Sequence, residues 1–126
     1  MNLTHFTHKE LASKDNNVCR LHPVFELELE RLRNAWGKPM RVNSCCRSRD
    51  HNKAVGGHPN SLHMYDAPSR PEGAAAIDVA FANGADKMEL AVLAWDSGWS
   101  IGFARTFLHL DRRTEVLGRD KTIFTY

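Results

Sequence analysis

Two short apolar segments, Ala76-Ile77-Asp78-Val79-Ala80 and Phe107-Leu108-His109-Leu110-Asp111, decide the fold of this chain. Both have the length and the aliphatic character of buried strands. Each also carries an ionisable residue, Asp78 or His109, in its middle. Burial of such a group costs free energy unless the group is paired, hydrogen-bonded or bound to a metal ion. These two residues are therefore the first candidates for a functional site.

The segments around these strands predict helices and further short strands. Residues 23–36 begin with a proline and place apolar side chains at helical spacing, and a second long helix is expected from Asn83 or Asp86 to Ser97. A short helix is expected at 49–55, strands at 40–43, 76–81, 99–103 and 106–111, and an edge strand at 122–126. The proline-containing segment 58–73 predicts a loop. Phe6 and Leu11 are expected to anchor the polar first twenty residues on the core. The pattern predicts an α+β fold, in which helices pack on a small, mostly antiparallel sheet. A chain of 126 residues fits one domain, 1–126.

Composition and charge exclude some classes of function. A net charge of +2 and a pI near 8.5 are too mild to indicate nucleic-acid binding. A metal-dependent nuclease is suggested only by this weak basic balance and by Arg49-Asp50-His51-Asn52, without a dense stripe of basic and aromatic residues. No apolar run reaches the length of a membrane span. The chain is expected to bind no nucleic acid, to have no membrane span and to be a monomer.

The cysteines and the N-terminal residues bear on the compartment. There are three cysteines, Cys19, Cys45 and Cys46, and this odd number with an adjacent pair makes a disulfide framework improbable. Residues 1–6 lack the basic and apolar stretches of a secretory signal peptide. We therefore expect synthesis in a reducing cytoplasm without a signal peptide.

A third residue joins Asp78 and His109 as a candidate metal ligand. His63 follows Pro59-Asn60-Ser61-Leu62 in the predicted loop. Two imidazoles and one carboxylate, with a fourth position open to water, are typical of a catalytic zinc site. From the residues alone the alternative stays open, because a buried Asp or His is often satisfied by hydrogen bonds.

The order of the motifs adds a family resemblance. From about Phe6 to Arg113 the chain resembles the zinc D-alanyl-D-alanine carboxypeptidases and phage L-alanyl-D-glutamate endopeptidases, whose fold is shared with the hedgehog signalling domain. The family pattern is a Ser-x-His, then a segment ending in Ala-x-Asp, then a distal His in a strand. The matching residues are Val42-Asn43-Ser44, Arg47-Ser48, His51-Asn52, Val55-Gly56-Gly57, Pro59-Asn60-Ser61, His63, Ala76-Ile77-Asp78, Gly102 and Phe107-Leu108-His109-Leu110-Asp111.

The resemblance implies a function and a role for each matching residue. His63, Asp78 and His109 become ligands of Zn²⁺, and the substrate becomes a peptidoglycan stem peptide cut by a carboxypeptidase or endolysin-like endopeptidase. Arg47 is implied to bind a substrate carboxylate, a task that suits its planar guanidinium, and Ser61 to hydrogen-bond the substrate or a ligand. As structural alternatives, Arg47 forms a surface ion pair and Ser61 is a turn residue. A zinc-stabilised cell-wall or protein binding module of the same fold is the alternative function.

Three departures from the family pattern affect the site. Residues 64–73 insert extra residues between His63 and Asp78, and the inserted 66–72 are expected to form a surface loop. Cys45-Cys46 replaces the usual Gly-aromatic pair before Arg47. Relatives place a general base shortly before the distal His, but residues 106–108 offer none.

Two residues are the candidates for that general base. Asp111 should project from the same strand face as His109, because strand side chains alternate. Its alternative role is to orient an imidazole or to pair with Arg47. His58, which precedes Ser61 in the loop, is the second candidate.

The expected place of action follows from the substrate class. Without a signal peptide, the protein would act at the bacterial cell wall or periplasm after release by phage lysis machinery. Carriage on a virion or export without a cleaved signal explains the same residues.

Overall fold

A computed structural model describes residues 3–126, and within this range five strands form one sheet. They are β1 (Arg41–Ser44), β2 (Ala76–Ala80), β3 (Ser100–Phe103), β4 (Phe107–Asp111) and β5 (Ile123–Thr125). Their order across the sheet is β1-β2-β4-β3-β5. Every pairing is antiparallel except that of β3 with β5. The prediction of a small, mostly antiparallel sheet packed against helices is confirmed.

The helices of the described residues are α1 (His8–Leu11), α2 (Pro23–Trp36), α3 (Arg49–Ala54), α4 (Gly84–Asp96) and α5 (Arg113–Leu117). Side-chain caps explain three of their starts: His22, Ser48 and Asn83 accept from backbone N–H groups in the first turns of α2, α3 and α4. Helix α2 ends at Gly37, whose φ of 72° is the left-handed conformation that glycine adopts easily. The sequence pattern did not predict the short helices α1 and α5.

One face of the sheet forms the hydrophobic core. Its fully buried aliphatic side chains alternate along β2 and β4 and pack with side chains of α2 and α4. They include Ile77, Val79, Leu108 and Leu110 from the sheet and Phe25, Leu29, Leu90 and Ala94 from the helices. Burial of each large side chain contributes roughly 1.5–3 kcal/mol. Phe6 and Leu11 are buried in the same core, as expected. This packing fixes the strands that carry Asp78 and His109.

The opposite face carries one row of residues that crosses all five strands. Successive pairings align Ser44 with Asp78, Asp78 with His109, His109 with Gly102, and Gly102 with Phe124. Directly paired residues project from the same face of a sheet. Asp78 and His109 therefore lie side by side, although 31 positions separate them in the sequence.

The inserted residues 66–72 form the surface loop that was expected, with Pro68, Ser69, Pro71 and Glu72 exposed. Met64, Tyr65, Ala67 and Arg70 are buried, and Tyr65 belongs to the hydrophobic core. Arg70 donates to the Ser61 carbonyl at 2.8 Å. The sequence pattern did not predict that Ala67 and Arg70 inside this loop, and Met64 and Tyr65 before it, are buried.

None of the helices in the described range is both long and apolar enough to cross a membrane. The expectation about a signal peptide rests in part on Met1 and Asn2, which lie outside the described residues.

Candidate metal centre

The row across the sheet and the loop after α3 bring His63, Asp78 and His109 together. Asp78 Oδ1 lies 3.2 Å from His63 Nε2 and 3.0 Å from His109 Nδ1. One possible ligand atom from each residue lies within 4.8 Å of the other two, and all three residues are buried. The grouping that the sequence suggested is therefore present as a compact cluster that could hold a metal ion.

Each imidazole is hydrogen-bonded on the side away from Asp78. His63 Nδ1 lies 2.7 Å from the Cys45 carbonyl oxygen, and His109 Nε2 lies 2.7 Å from Asp111 Oδ2. A carbonyl and an ionised carboxylate only accept, so both of these ring nitrogens must donate a proton. In the neutral rings, His63 Nε2 and His109 Nδ1 then face Asp78 with lone pairs.

The electrostatics of the cluster call for a cation. Burial raises the pKa of Asp78, but its contacts with the His109 and His63 rings outweigh burial and hold that pKa well below its usual value. Burial lowers the pKa of His63. It also opposes protonation of His109, whose pKa is nevertheless raised by its hydrogen bonds to Asp111 and Asp78. Two lone pairs and a carboxylate oxygen turned toward one point repel one another unless a proton or a metal ion lies between them.

The donor set fits zinc. Two imidazole nitrogens and one carboxylate are a common ligand combination of catalytic zinc sites. The carbonyl behind His63 and the carboxylate behind His109 are the partners that fix a ligating imidazole in the tautomer it needs. The residues present thus supply both the ligands and the groups that orient them.

Asp111 is saturated with hydrogen bonds. Besides His109, it accepts from the Arg113 side chain at 3.0 and 2.7 Å and from the Arg113 backbone at 3.0 Å. Burial raises its pKa, but the hydrogen bonds from His109 and Arg113 lower it to about 2. Its expected alternative pairing with Arg47 was wrong, because Arg113 occupies that position.

Arg47 lies beside Asp78. Its guanidinium is 3.5 Å from Asp78 Oδ2 and donates to Ser44 Oγ at 3.0 Å and to Asn52 Oδ1 at 3.3 Å. Only 16% of the side chain is exposed. The structural alternative of a surface ion pair was therefore wrong: Arg47 is mostly buried and directed at the cluster.

The other two predicted residues line the same cleft. Ser61 Oγ accepts from the His63 backbone N–H at 3.2 Å, which fixes the turn into His63. His58 is exposed, and its Nδ1 accepts from the Asn60 backbone at 3.0 Å. The cleft has a volume of about 1320 Å³ and is bordered by the metal cluster.

Several residues at the site were not predicted. Asn52 holds the Arg47 guanidinium, and Gly57 leaves the space that Asn52 occupies, since a Cβ there would lie 2.0 Å from Asn52 Oδ1. Phe124 packs against His109, with the ring centroids 5.5 Å apart and the ring planes tilted by 55°. Only the strand registers reveal Phe124, and no periodicity in the sequence gives those registers.

The described residues combine an α+β fold with a His-Asp-His cluster that could hold a metal ion. The comparison with known families makes the assignment specific: the model of the peptidase M15 family matches residues 4–111. The chain belongs to this family of zinc peptidases, which includes D-Ala-D-Ala carboxypeptidases and phage endopeptidases. No curated protein matches the chain.

Proposed function

We propose that the protein hydrolyses amide bonds in peptidoglycan stem peptides, as a zinc-dependent carboxypeptidase or endopeptidase. The observation that supports this proposal best is the pair of imidazoles whose outward nitrogens are tied to acceptors, so that their lone pairs converge with a carboxylate. His63 Nε2, Asp78 Oδ1 and His109 Nδ1 would hold the ion. A zinc ion held by these atoms would supply Lewis acidity toward an amide carbonyl and toward water.

The proposed roles of the neighbouring residues follow from their contacts. Arg47 binds a substrate carboxylate beside Asp78, and Asn52 keeps its guanidinium in place. Ser61 accepts from the His63 backbone with its oxygen, which leaves its hydroxyl proton available for a substrate carbonyl.

We assign the proton transfer to His58 and the orientation of His109 to Asp111. Both oxygens of Asp111 are already engaged by His109 and Arg113. His58 lines the cleft, and among the described residues its ring is hydrogen-bonded at Nδ1, so its Nε2 can take a proton and later deliver it to the leaving amine.

The charges around the cleft support an anionic peptide as substrate. Its lining contains six Arg or Lys residues but only two carboxylates, Asp78 and Asp111, and both of these are buried. The basic residues are Arg47, Arg49, Lys53, Arg70, Arg113 and Arg119. Stem peptides carry free carboxylates, which such a cleft attracts.

The place of action is part of the proposal. We infer that a monomer consisting of one domain reaches the cell wall or periplasm from the cytoplasm, in the manner of a phage endolysin. Action on the wall follows from the substrate class.

Digestion of purified muropeptides, followed by mass spectrometry, tests the proposal. The zinc-loaded protein should shorten the stem peptide, chelator should stop the reaction, and the mass of the products identifies the bond among D-Ala-D-Ala, D-Ala-diaminopimelate and L-Ala-D-Glu. Gly84→Ala is a control variant that should cleave the muropeptides as the wild type does, because a Cβ at Gly84 meets no atom within 4 Å. Unchanged muropeptides in the presence of folded, zinc-loaded protein would contradict the proposal.

A further inference from the structure

The strand β5 lies beyond the residues that the family model matches and adds an aromatic wall to the cleft. Residues 112–126 follow the matched range 4–111. Three rings make up the wall: Phe107, Phe124 and Tyr126. The centroid of Tyr126 lies 5.4 Å from that of Phe107 and 5.7 Å from that of Phe124. Phe124 in turn contacts His109, so the wall begins at a proposed zinc ligand.

Strand geometry places Tyr126 on the face of the sheet that carries the site. Its backbone N–H donates to the Phe103 carbonyl at 3.2 Å, which continues the pairing of β5 with β3 by one residue. Tyr126 follows Phe124 by two positions, and side chains two positions apart on a strand share a face. Phe124 belongs to the row of Asp78 and His109, so the face of Tyr126 is also that of the metal centre.

A glycine on the neighbouring strand makes this arrangement possible. A Cβ at Gly102 would lie 2.5 Å from two atoms of the Phe124 ring and 3.1 Å from His109 Cβ. The absence of a side chain at Gly102 leaves the space that the Phe124 ring occupies over β3.

We propose that Tyr126 is a substrate-contacting residue, whose ring packs against the bound peptide and whose hydroxyl donates a hydrogen bond to it. The inference rests on the proposed function. Tyr126 lines the same cleft as the three proposed ligands and is 71% exposed, so a ligand can reach it. Partial desolvation in the cleft and the negative charge of Asp78 raise its pKa to about 12, so the hydroxyl is protonated and able to donate at neutral pH.

Two substitutions separate the ring from the hydroxyl. Tyr126→Phe removes the hydrogen bond, and the loss of one neutral hydrogen bond corresponds to a rise in KM of about 2–10-fold. Tyr126→Ala removes the ring as well and should raise KM further, with little change in kcat. Thr125→Ala is the matched control, because Thr125 is exposed and projects from the opposite face of β5.

A binding measurement without zinc keeps the inference separate from the proposed chemistry. Titration calorimetry of the metal-free protein with a synthetic stem peptide should give a dissociation constant that rises in the same order, from wild type to Tyr126→Phe to Tyr126→Ala. Equal zinc content and equal Tm in the variants show that the centre and the fold are intact.

The outcomes distinguish this inference from the proposed function. If the wild type cleaves the peptide but Tyr126→Ala changes KM and the dissociation constant by less than twofold, Tyr126 does not contact the substrate. If the wild type binds the peptide without cleaving it, the proposed function fails and the dissociation constants alone decide the role of Tyr126. If the wild type neither binds nor cleaves the peptide, both claims fail.

Discussion

The candidate metal centre is built from two regions that are held in different ways. The sheet half consists of Asp78 and His109, which lie on the paired central strands β2 and β4. The loop half consists of Arg47, Ser61 and His63, which lie outside regular strands and helices. Ladder hydrogen bonds and a buried apolar face fix the sheet half. The loop half depends on single contacts between segments that are distant in the sequence.

Backbone contacts show how the loop half is held. The Arg47 N–H donates to the His63 carbonyl at 2.8 Å, and the Tyr65 N–H donates to the Arg47 carbonyl at 3.1 Å. His63 Nδ1 also donates to the Cys45 carbonyl oxygen. Together these bonds tie residues 45 and 47 to the loop 63–65. Loss of one contact should therefore loosen His63, whereas the strands would hold Asp78 and His109 in place.

Removal of a ligand from the sheet half should give the largest effect. His109→Ala removes a lone pair that no neighbour can replace, so zinc affinity should fall by more than the roughly 10–100-fold expected for a residue that only supports a ligand. Zinc content after dialysis and muropeptide cleavage measure this loss. His5→Ala, at an exposed surface position, is the matched control. Full zinc content in His109→Ala would refute this ligand.

The second-largest effect on zinc affinity is expected at Asp111, which accepts a hydrogen bond from His109. Asp111→Asn keeps the shape but removes the charge that accepts from His109 and Arg113, so zinc affinity should fall about 10–100-fold. Competition with a zinc chelator gives the affinity, and Asp96→Asn, at an exposed site, is the control. Unchanged zinc affinity with a large loss of kcat would instead indicate that Asp111 is the general base.

An overpacking substitution at Gly102 tests the row of residues that crosses the sheet. Gly102→Ala places a methyl group against the Phe124 ring and should lower the free energy of unfolding by about 1–3 kcal/mol. Chemical denaturation measures the change, with Gly84→Ala as the control. Unaltered stability would mean that Phe124 does not lie across β3.

The smallest effect on zinc affinity is expected from the inserted segment of the loop half. Arg70→Gln removes the guanidinium that donates to the Ser61 carbonyl and should lower the free energy of unfolding by about 1–3 kcal/mol. Its effect on zinc affinity should be weaker than that of Asp111→Asn. Thermal unfolding and zinc titration measure the two effects, and Arg41→Gln, at an exposed position of β1, is the control. A larger loss of zinc affinity than in Asp111→Asn would reverse the proposed order of the two regions.

The same difference explains what could be predicted from the sequence. Asp78 and His109 stood out because an ionisable residue in an apolar strand is conspicuous, and the helices around them carry their own caps and periodicity. The α+β fold with its mostly antiparallel sheet followed from these local patterns, with bounds correct to about one or two residues, the usual uncertainty at helix and strand ends.

What could not be predicted depends on contacts between distant residues. The inward packing of Tyr65 and Arg70 depends on space left by other segments. The place of Phe124 beside His109 depends on strand register. The pairing of Asp111 with Arg113 is local in the sequence, but it depends on how the chain turns after β4. No local pattern of residues encodes a register between strands that are joined through a long connection.

A crystal structure of the zinc-loaded protein, with anomalous diffraction recorded on both sides of the zinc absorption edge, tests the central claim most directly. One zinc ion should be bound by His63 Nε2, Asp78 and His109 Nδ1, with a remaining position open to solvent. An ion bound through the opposite ring nitrogens, a fourth protein donor in the open position, or zinc found only elsewhere on the protein would contradict the account.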